Sequence, residues 1–372
     1  MSFWWLCGMK KIILRKSKRL VAKVQWRRWQ RHLAWKRWRK RQRQLQQSTA
    51  LVARLQAPKY FNLSDAEVRR RVLDFLRSLR LAYAKQRVIV CLDFRRTEKL
   101  YSCATLLLVA ELDRLRRLYP GVELRTRLPK DLVARQVLQQ VGLLRLVGHR
   151  YSMSSDDFDK TVTNWRFATG YCTDASRIGE DVWDAIDGLV TPVLSRSIYK
   201  GITEAMTNSV HHAYVGPRGD GVPARGETEK RWWMFSQELD GHLSVVMCDL
   251  GVGIQRSLPR EEGAQPGFLS LLEKYLSPFM RSQREAAMIK AAVEIGYTRT
   301  KLQNRGKGLR QIVDAIVAAG DTANMVIYSN CGAYWVESES SKKVAREKLI
   351  QYDGSIMGTL IQWKLPVTEQ EV

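Results

Sequence analysis

The sequence predicts an α/β protein that begins with a basic helical arm. Three observations lead there. Short apolar runs of strand length alternate with longer stretches of helical periodicity. The hydrophobic content of 45% is that of a globular chain. The positive charge collects at one end: of the net +25, +16 belongs to residues 1–50, which leaves +9 for the other 322 residues.

The arm, expected over residues 1–57, comes first. Residues 10–48 contain neither Gly nor Pro and are dominated by Lys, Arg, Gln and Leu, which predicts one long helix. Trp26, Trp29, Leu33 and Trp38 follow helical spacing, while Trp35 leaves that stripe. No Asp or Glu occurs before Asp65, so like charges repel along the helix and call for a counter-charge. Three partners can supply it. Nucleic acid would pair its phosphates with Lys and Arg and stack its bases on Trp. An anionic membrane surface would bury the "FWWL" end at its interface. An acidic protein, or a second copy of the chain, would pack along the arm. The tryptophans form no continuous apolar face, which sets the membrane surface behind nucleic acid and an acidic protein.

Several classes drop out. No stretch offers about 18 uninterrupted apolar residues, as a spanning helix needs. In "MSFWWLCGM" the basic run follows the apolar one, the reverse of a secretory signal. Cys7, Cys91, Cys103, Cys172, Cys248 and Cys331 lie far apart with no CxxC pair, which argues against a zinc site or a dense disulfide framework. Reduced, buried thiols in a cytoplasmic protein are expected.

After a connector, "QQSTALVARLQAPKY", broken at Pro58, the first compact segment spans 58–150. "LSDAEVRRRVLDFLRSLRLAYAKQ" predicts a helix capped by Ser64. "RVIVCLDF" (87–94) reads as a buried strand, "CATLLLVAELDRLRRLYP" (103–120) as a helix and "VELRTRL" (122–128) as a strand. A helix from Pro129 ends near Gly142. Residues 151–190 are polar and read as a connector. A second segment, 191–372, opens with a helix over about 193–214. "RWWMFSQEL" and "HLSVVMCDL" then form a hairpin around Asp240–Gly241. A long stretch (255–305) has a helical middle at "SQREAAMIKAAVEIG", and a helix follows at about 306–319. "NMVIYSN", "AYWVESES" and "GTLIQWKLP" close the chain as strands.

Four pieces within 191–372 carry chemistry. Glu204 and Asn208 stand four apart on a helix, so carboxylate and amide share a face. "CDLGVGI" sets Asp249 at a strand end before Gly251 and Gly253, which let backbone approach a ligand. "NRGKGLRQI" puts Gly306 and Gly308 at the mouth of a helix, a phosphate-binding arrangement. "GTLIQWKLP" opens a strand with Gly358–Thr359. Each piece alone is common; the ordered set is specific.

The set resembles the GHKL ATPase superfamily, which contains gyrase, Hsp-type chaperones, histidine kinases and mismatch-repair ATPases. Glu204–Asn208 matches its N box, Asp249–Ile254 its G1 box, Gly306–Leu309 its G2 box and Gly358–Thr359 its G3 motif. The resemblance covers about residues 190–367 and implies the Bergerat fold: a mixed sheet layered against helices, binding ATP under a lid formed by 255–305. It implies roles as well. Asn208 would hold Mg²⁺. Asp249 would accept the adenine amino group, supported through water by Thr359. Gly251 and Gly253 would shape the pocket floor, and Gly306, Gly308 and Leu309 would wrap the phosphates. Glu204 would be the general base. Lys307 departs from the Gly-Leu-Gly-Leu of many members. His211 and His212 face different sides of their helix, so only one can approach a phosphate; both can equally be helix surface.

Residues 58–150 resemble a STAS-type domain at the level of fold, with Ser102 at the position that a GHKL protein kinase phosphorylates in that family. Capping of the helix at Cys103 is the simpler role for Ser102. A two-component histidine kinase is set aside, because "RHLAW" around His32 lacks the acidic residue that usually follows a phospho-accepting histidine. A gyrase-like motor is not expected either, since the sequence stops at Val372, soon after the G3 strand. Three functions stay open. They are an ATP–Mg²⁺-binding regulatory protein whose lid closure or slow ATP hydrolysis controls a partner or a nucleic-acid interaction, an anti-sigma-type serine protein kinase, and a non-enzymatic adaptor with a degenerate pocket.

Overall fold

The computed structural model describes residues 51–85, 88–149, 153–163, 165–173, 189–222, 230–239, 241–258, 282–295, 313, 323–339 and 344–367. The expected arm helix and the Gly306, Lys307, Gly308 and Leu309 stretch lie outside them, as does nearly all of the expected 306–319 helix. Residues 1–51 and 52–372 are separate compact units, and all the described residues except Leu51 belong to the second.

The alternating pattern of 58–150 becomes alternating structure. β1 (Leu51–Gln56) and β2 (Tyr60–Phe61) precede α1 (Ala66–Ala84), β3 (Val88–Asp93), β4 (Lys99–Leu100), α2 (Ser102–Leu118) and β5 (Leu124–Arg127). α3 (Leu132–Gln140) and α4 (Leu143–Leu146) come next, separated by Gly142 at φ 75°. β1, β3 and β5 form a three-stranded sheet in which β3 and β5 run parallel. β1 occupies what reads as connector; its alternation was present, with Ala53 and Leu55 turned to the core and Arg54 and Gln56 exposed.

The two expected caps are corrected. α1 is capped by Asp65, whose Oδ1 accepts the Val68 N–H at 2.8 Å, while the Ser64 hydroxyl bonds Tyr328 Oη at 3.3 Å. Ser102 does not cap α2. It is the helix's first residue, is only 8% exposed, and its hydroxyl accepts from Gln362 Nε2 at 3.3 Å.

The remaining elements are α5 (Lys160–Thr163), β6 (Arg166–Gly170), α6 (Pro192–Asn208), a π-helical turn (Ser209–Ala213), β7 (Trp232–Leu239) and β8 (His242–Asp249). Then come α7 (Ile254–Ser257), α8 (Arg284–Ile295), β9 (Asn324–Ser329), β10 (Gly332–Glu339), β11 (Val344–Gln351) and β12 (Thr359–Pro366). Seven strands form one sheet in the order β11-β10-β9-β12-β8-β7-β6. Every neighbouring pair is antiparallel, not mixed as the resemblance implies. The reason is local: β7–β8, β9–β10 and β10–β11 are consecutive antiparallel neighbours, and β12 returns between β8 and β9 against both. The hairpin at Gly241 (φ 70°) is as expected. β6 is an edge strand drawn from the polar stretch 151–190, and β11 is a strand that reads as charged sequence.

Both faces of the seven-stranded sheet are covered. Trp233, Phe235, Val246, Cys248 and Leu360 turn to one side; Trp232, Met234, Val245, Met247, Ile361 and Trp363 turn to the other, against Ile198, Ile202 and Met206 of α6 and Ile289 and Val293 of α8. Strands buried on both faces read as unbroken apolar runs. The first side belongs to the same buried cluster as α2, whose residues from Ser102 to Leu112 are all buried. Segments 58–150 and 191–367 therefore share the buried cluster on that side, while the opposite side of the sheet has a cluster of its own.

A buried ion cluster adds a second joint between them. Glu111 of α2, wholly inaccessible, meets Arg218 at 2.7 Å, Arg114 at 3.4 Å and Arg80 at 3.5 Å. Asp220 meets Arg218 at 2.9 Å and also binds Arg114. Arg218 Nε reaches Met357 O at 2.7 Å, one residue before Gly358. Three arginines around two carboxylates tolerate the loss of neither acid. Cys91, Cys103 and Cys248 are buried free thiols as expected, whereas Cys172 and Cys331 are partly exposed. No helix among the described residues is long and apolar enough to cross a membrane.

A shared core predicts that residues 52–372 unfold in one cooperative transition. Glu111→Gln should lower stability by about 3–5 kcal/mol by leaving the arginines short of a counter-charge. Denaturant melts followed by tryptophan fluorescence and by circular dichroism should coincide in both proteins.

Candidate functional site

α6 starts where Pro192 occupies its first turn and Thr191 Oγ1 accepts the Leu194 N–H. Its buried stripe of Leu194, Ile198, Ile202, Ala205 and Met206 fixes its rotation on the sheet. Glu204 and Asn208 therefore lie at the stripe's edge, both half-buried. The helix then loosens into the π turn, which carries Ser209 and His212 round to the same side; such turns recur at functional sites. Val252 N–H to Ala213 O, at 2.7 Å, pins the end of this turn to the loop after β8.

Glu204, Asn208, His212, Asp249, Gly253 and Thr359 all line one cavity between α6 and the sheet. The cavity holds about 850 Å³ of empty space, its open mouth included. Met247, Ile361, Ala205, Ile254, Leu258 and Ala292 give it apolar walls. His211, by contrast, is exposed, so of the adjacent histidines only His212 faces the cavity. Gly251 sits behind the wall, where a Cβ would come within 2.2 Å of Ala213 O. Gly253 has φ 81°. Both glycines are thus demanded by the backbone itself.

Asp249 ends β8 and pairs in register with Thr359 at the start of β12. Its Oδ1 accepts the Gly251 N–H at 2.9 Å. Burial is the largest influence and pushes its pKa up to about 6, against the backbone bonds from Gly251 and Thr359 and the charge of Arg218, which favour the carboxylate. A buried acid so placed at the floor of a cavity is poised to accept a ligand N–H.

The donor set suits a hard cation only in part. Glu204 and Asn208 offer oxygen, as Mg²⁺ prefers, yet no group of three or more His, Cys, Asp or Glu among the described residues could cage a metal. An ion here would need a ligand's own oxygens to complete its shell, which is how Mg²⁺ binds with phosphates. Sequence reading missed Ser209, which lines the cavity with its hydroxyl donated to Ala205 O at 2.9 Å, and Asn330, which backs Gly253. No local pattern marks either one.

The shift at Asp249 has a definite sign for stability. The folded state holds the Asp249 proton more tightly than the unfolded chain, so this group stabilises the fold most below pH 4 and loses that contribution as pH rises through 6. Asp249→Asn should therefore stabilise the ligand-free protein by roughly 3 kcal/mol at pH 7–8, the gap closing towards pH 4. Thermal melts of both proteins across that range would check it; a destabilised Asn variant at pH 8 would contradict it.

No protein-family model matches the chain, and no curated protein matches it in sequence.

Proposed function

We propose that the chain is an ATP–Mg²⁺-binding regulatory protein of the GHKL, Bergerat-fold type. Its slow hydrolysis or nucleotide-dependent change would control a partner or a nucleic-acid interaction. One observation carries the reading: Glu204, Asn208, Asp249, Gly253 and Thr359, drawn from three separate stretches of sequence, line a single cavity. The apolar walls suit a purine, the buried Asp249 carboxylate suits its amino group, and Glu204 and Asn208 stand together on another wall. The antiparallel sheet is the feature that sits least well with the family pattern.

In this reading Asp249 and Thr359 hold the base. Asn208 would hold Mg²⁺, which when bound neutralises phosphate charge. Glu204 takes the proton from the attacking oxygen, water in an ATPase or a serine hydroxyl in a protein kinase. Gly306, Gly308 and Leu309 remain the proposed phosphate loop. Segment 58–150, proposed as STAS-like, offers a protein-binding module, and the basic arm before β1, residues 1–50, offers the contact to nucleic acid or an acidic protein. Ser102 is a poor phosphoacceptor in this protein, because it is buried and bonded to Gln362.

Calorimetry with ATP and Mg²⁺ should show binding to the wild type and none to Asp249→Asn. Glu204→Ala should keep ATP binding and lose phosphate release by about 10²–10⁴-fold. With γ-labelled ATP, label in free phosphate supports an ATPase, and label on protein supports the serine kinase. A folded wild type that binds no ATP would favour the adaptor. Binding of a duplex DNA probe should weaken steeply as salt is raised.

A further inference from the structure

One polar cluster lies behind the cavity wall, at the end of β9, apart from the proposed nucleotide contacts. Its centre is Asn330, at φ 49°, a left-handed conformation that Asn adopts more readily than most residues. Both ends of its side-chain amide are occupied. Nδ2 donates to Val252 O at 2.9 Å and to Gln255 Oε1 at 2.9 Å. Oδ1 accepts from the Gly358 N–H at 3.3 Å and from the Ser355 hydroxyl at 3.3 Å. A single side chain thus joins the loop after β8 to the turn that opens β12.

Neighbouring bonds tighten the joint. Asn330 N–H reaches Gly358 O at 3.1 Å. Ser329 Oγ accepts the Ile254 N–H at 2.8 Å, and Gln255 Nε2 donates to Ser329 O at 2.8 Å. A Cβ on Gly253 would come within 2.4 Å of the Asn330 amide, so glycine there lets the two segments close on each other. Arg69 of α1 braces the joint from outside: its Nη2 donates to Asn330 O at 3.2 Å and Gly354 O at 3.3 Å, and its guanidinium lies 4.1 Å from the Tyr352 ring centre.

The two segments so joined carry Asp249 and Thr359. Asp249 is the last residue of β8 and Thr359 the first of β12; the sheet pairs each of them on both flanks, Asp249 with Thr359 and Trp232, Thr359 with Asp249 and Ser329, but the backbone that leaves the sheet beside them is held by the Asn330 joint. Asn330 does not line the cavity, and whatever it does there it does through them. We infer that Asn330 is a positioning residue that fixes the Asp249 carboxylate relative to Thr359, and through that geometry sets a preference for adenine over guanine nucleotides. The inference rests on the nucleotide reading. Its chemistry is simple. A fixed carboxylate accepts adenine's amino group, whereas guanine presents a carbonyl oxygen at the same ring position, and two acceptors repel. Discrimination of this kind survives only while the acceptor cannot move away.

The test uses the full chain, titrated calorimetrically with ATP and with GTP in Mg²⁺. Asn330→Gly keeps the left-handed backbone and deletes the amide. Asn330→Asp keeps the backbone and the acceptor towards Gly358, but turns an oxygen towards Val252 O and Gln255. Val336→Ala, in the core of β10, serves as a destabilised control. Both Asn330 variants should lose ATP:GTP discrimination by about tenfold, mostly through weaker ATP binding. The control should melt earlier with the ratio unchanged. If folded Asn330 variants keep the wild-type ratio, the inference is overturned while the nucleotide reading stands. If the wild type binds neither nucleotide, the reading fails and takes the inference with it. Should Asn330→Gly not fold, Asn330→Asp decides alone.

Discussion

From Cys103 to Ala110 helix α2 is buried on every side and all but Thr105 is apolar, and a helix of that kind is stable only between two layers. One layer is formed by the strands and helices of its own segment. The other is the face of the seven-stranded sheet that carries Trp233, Phe235, Val246, Cys248 and Leu360. Once α2 is sandwiched, that face cannot also hold a ligand, and the cavity is left to the opposite side, under α6 and α8. The remaining polar atoms of α2 obey the same logic. Glu111 is carried into the interior, where it survives only by gathering arginines, and Asp113 accepts from Trp233 Nε1 at 3.1 Å.

This constraint reaches the candidate site through Arg218. Its guanidinium is held by Glu111 and Asp220, and its Nε holds the carbonyl of Met357. Met357 precedes the glycine and threonine that open β12, and β12 lies beside Asp249. On the other flank, Arg69 of α1 holds the carbonyls of Asn330 and Gly354. Two arginine clamps therefore grip the turn between β11 and β12, one backed by α2 and one carried by α1. The position of this turn beside the cavity therefore depends on both helices.

Asp249 shows the tension at such a site. A carboxylate whose hydrogen bonds do not repay its burial is costly, and a neutral residue would fold better there. Sites that bind by a fixed polar group commonly carry that cost, because mobility would relieve the strain and lose the selectivity together.

Much of this was legible in the sequence. The β3–α2–β5 succession, the β7–β8 hairpin, the α8 helix and the closing strands arise from periodicity and turn residues, which act over a few positions. Glu204, Asn208, Asp249, Gly253 and Thr359 could be named because helical spacing and glycine at a strand end are also local signals. The short edge strands β1 and β6 were less legible, since five or six residues with one buried face resemble any polar linker. Ser64 and Asp65 compete for the same cap, and only the backbone angles choose between them. What the tertiary structure alone decided is pairing across distance: that 58–150 shares a core with the large sheet, that Glu111 finds Arg218, and that Asn330 stands behind Gly253. Those contacts join residues tens to hundreds of positions apart, and no periodicity in a single chain records which distant side chains will meet.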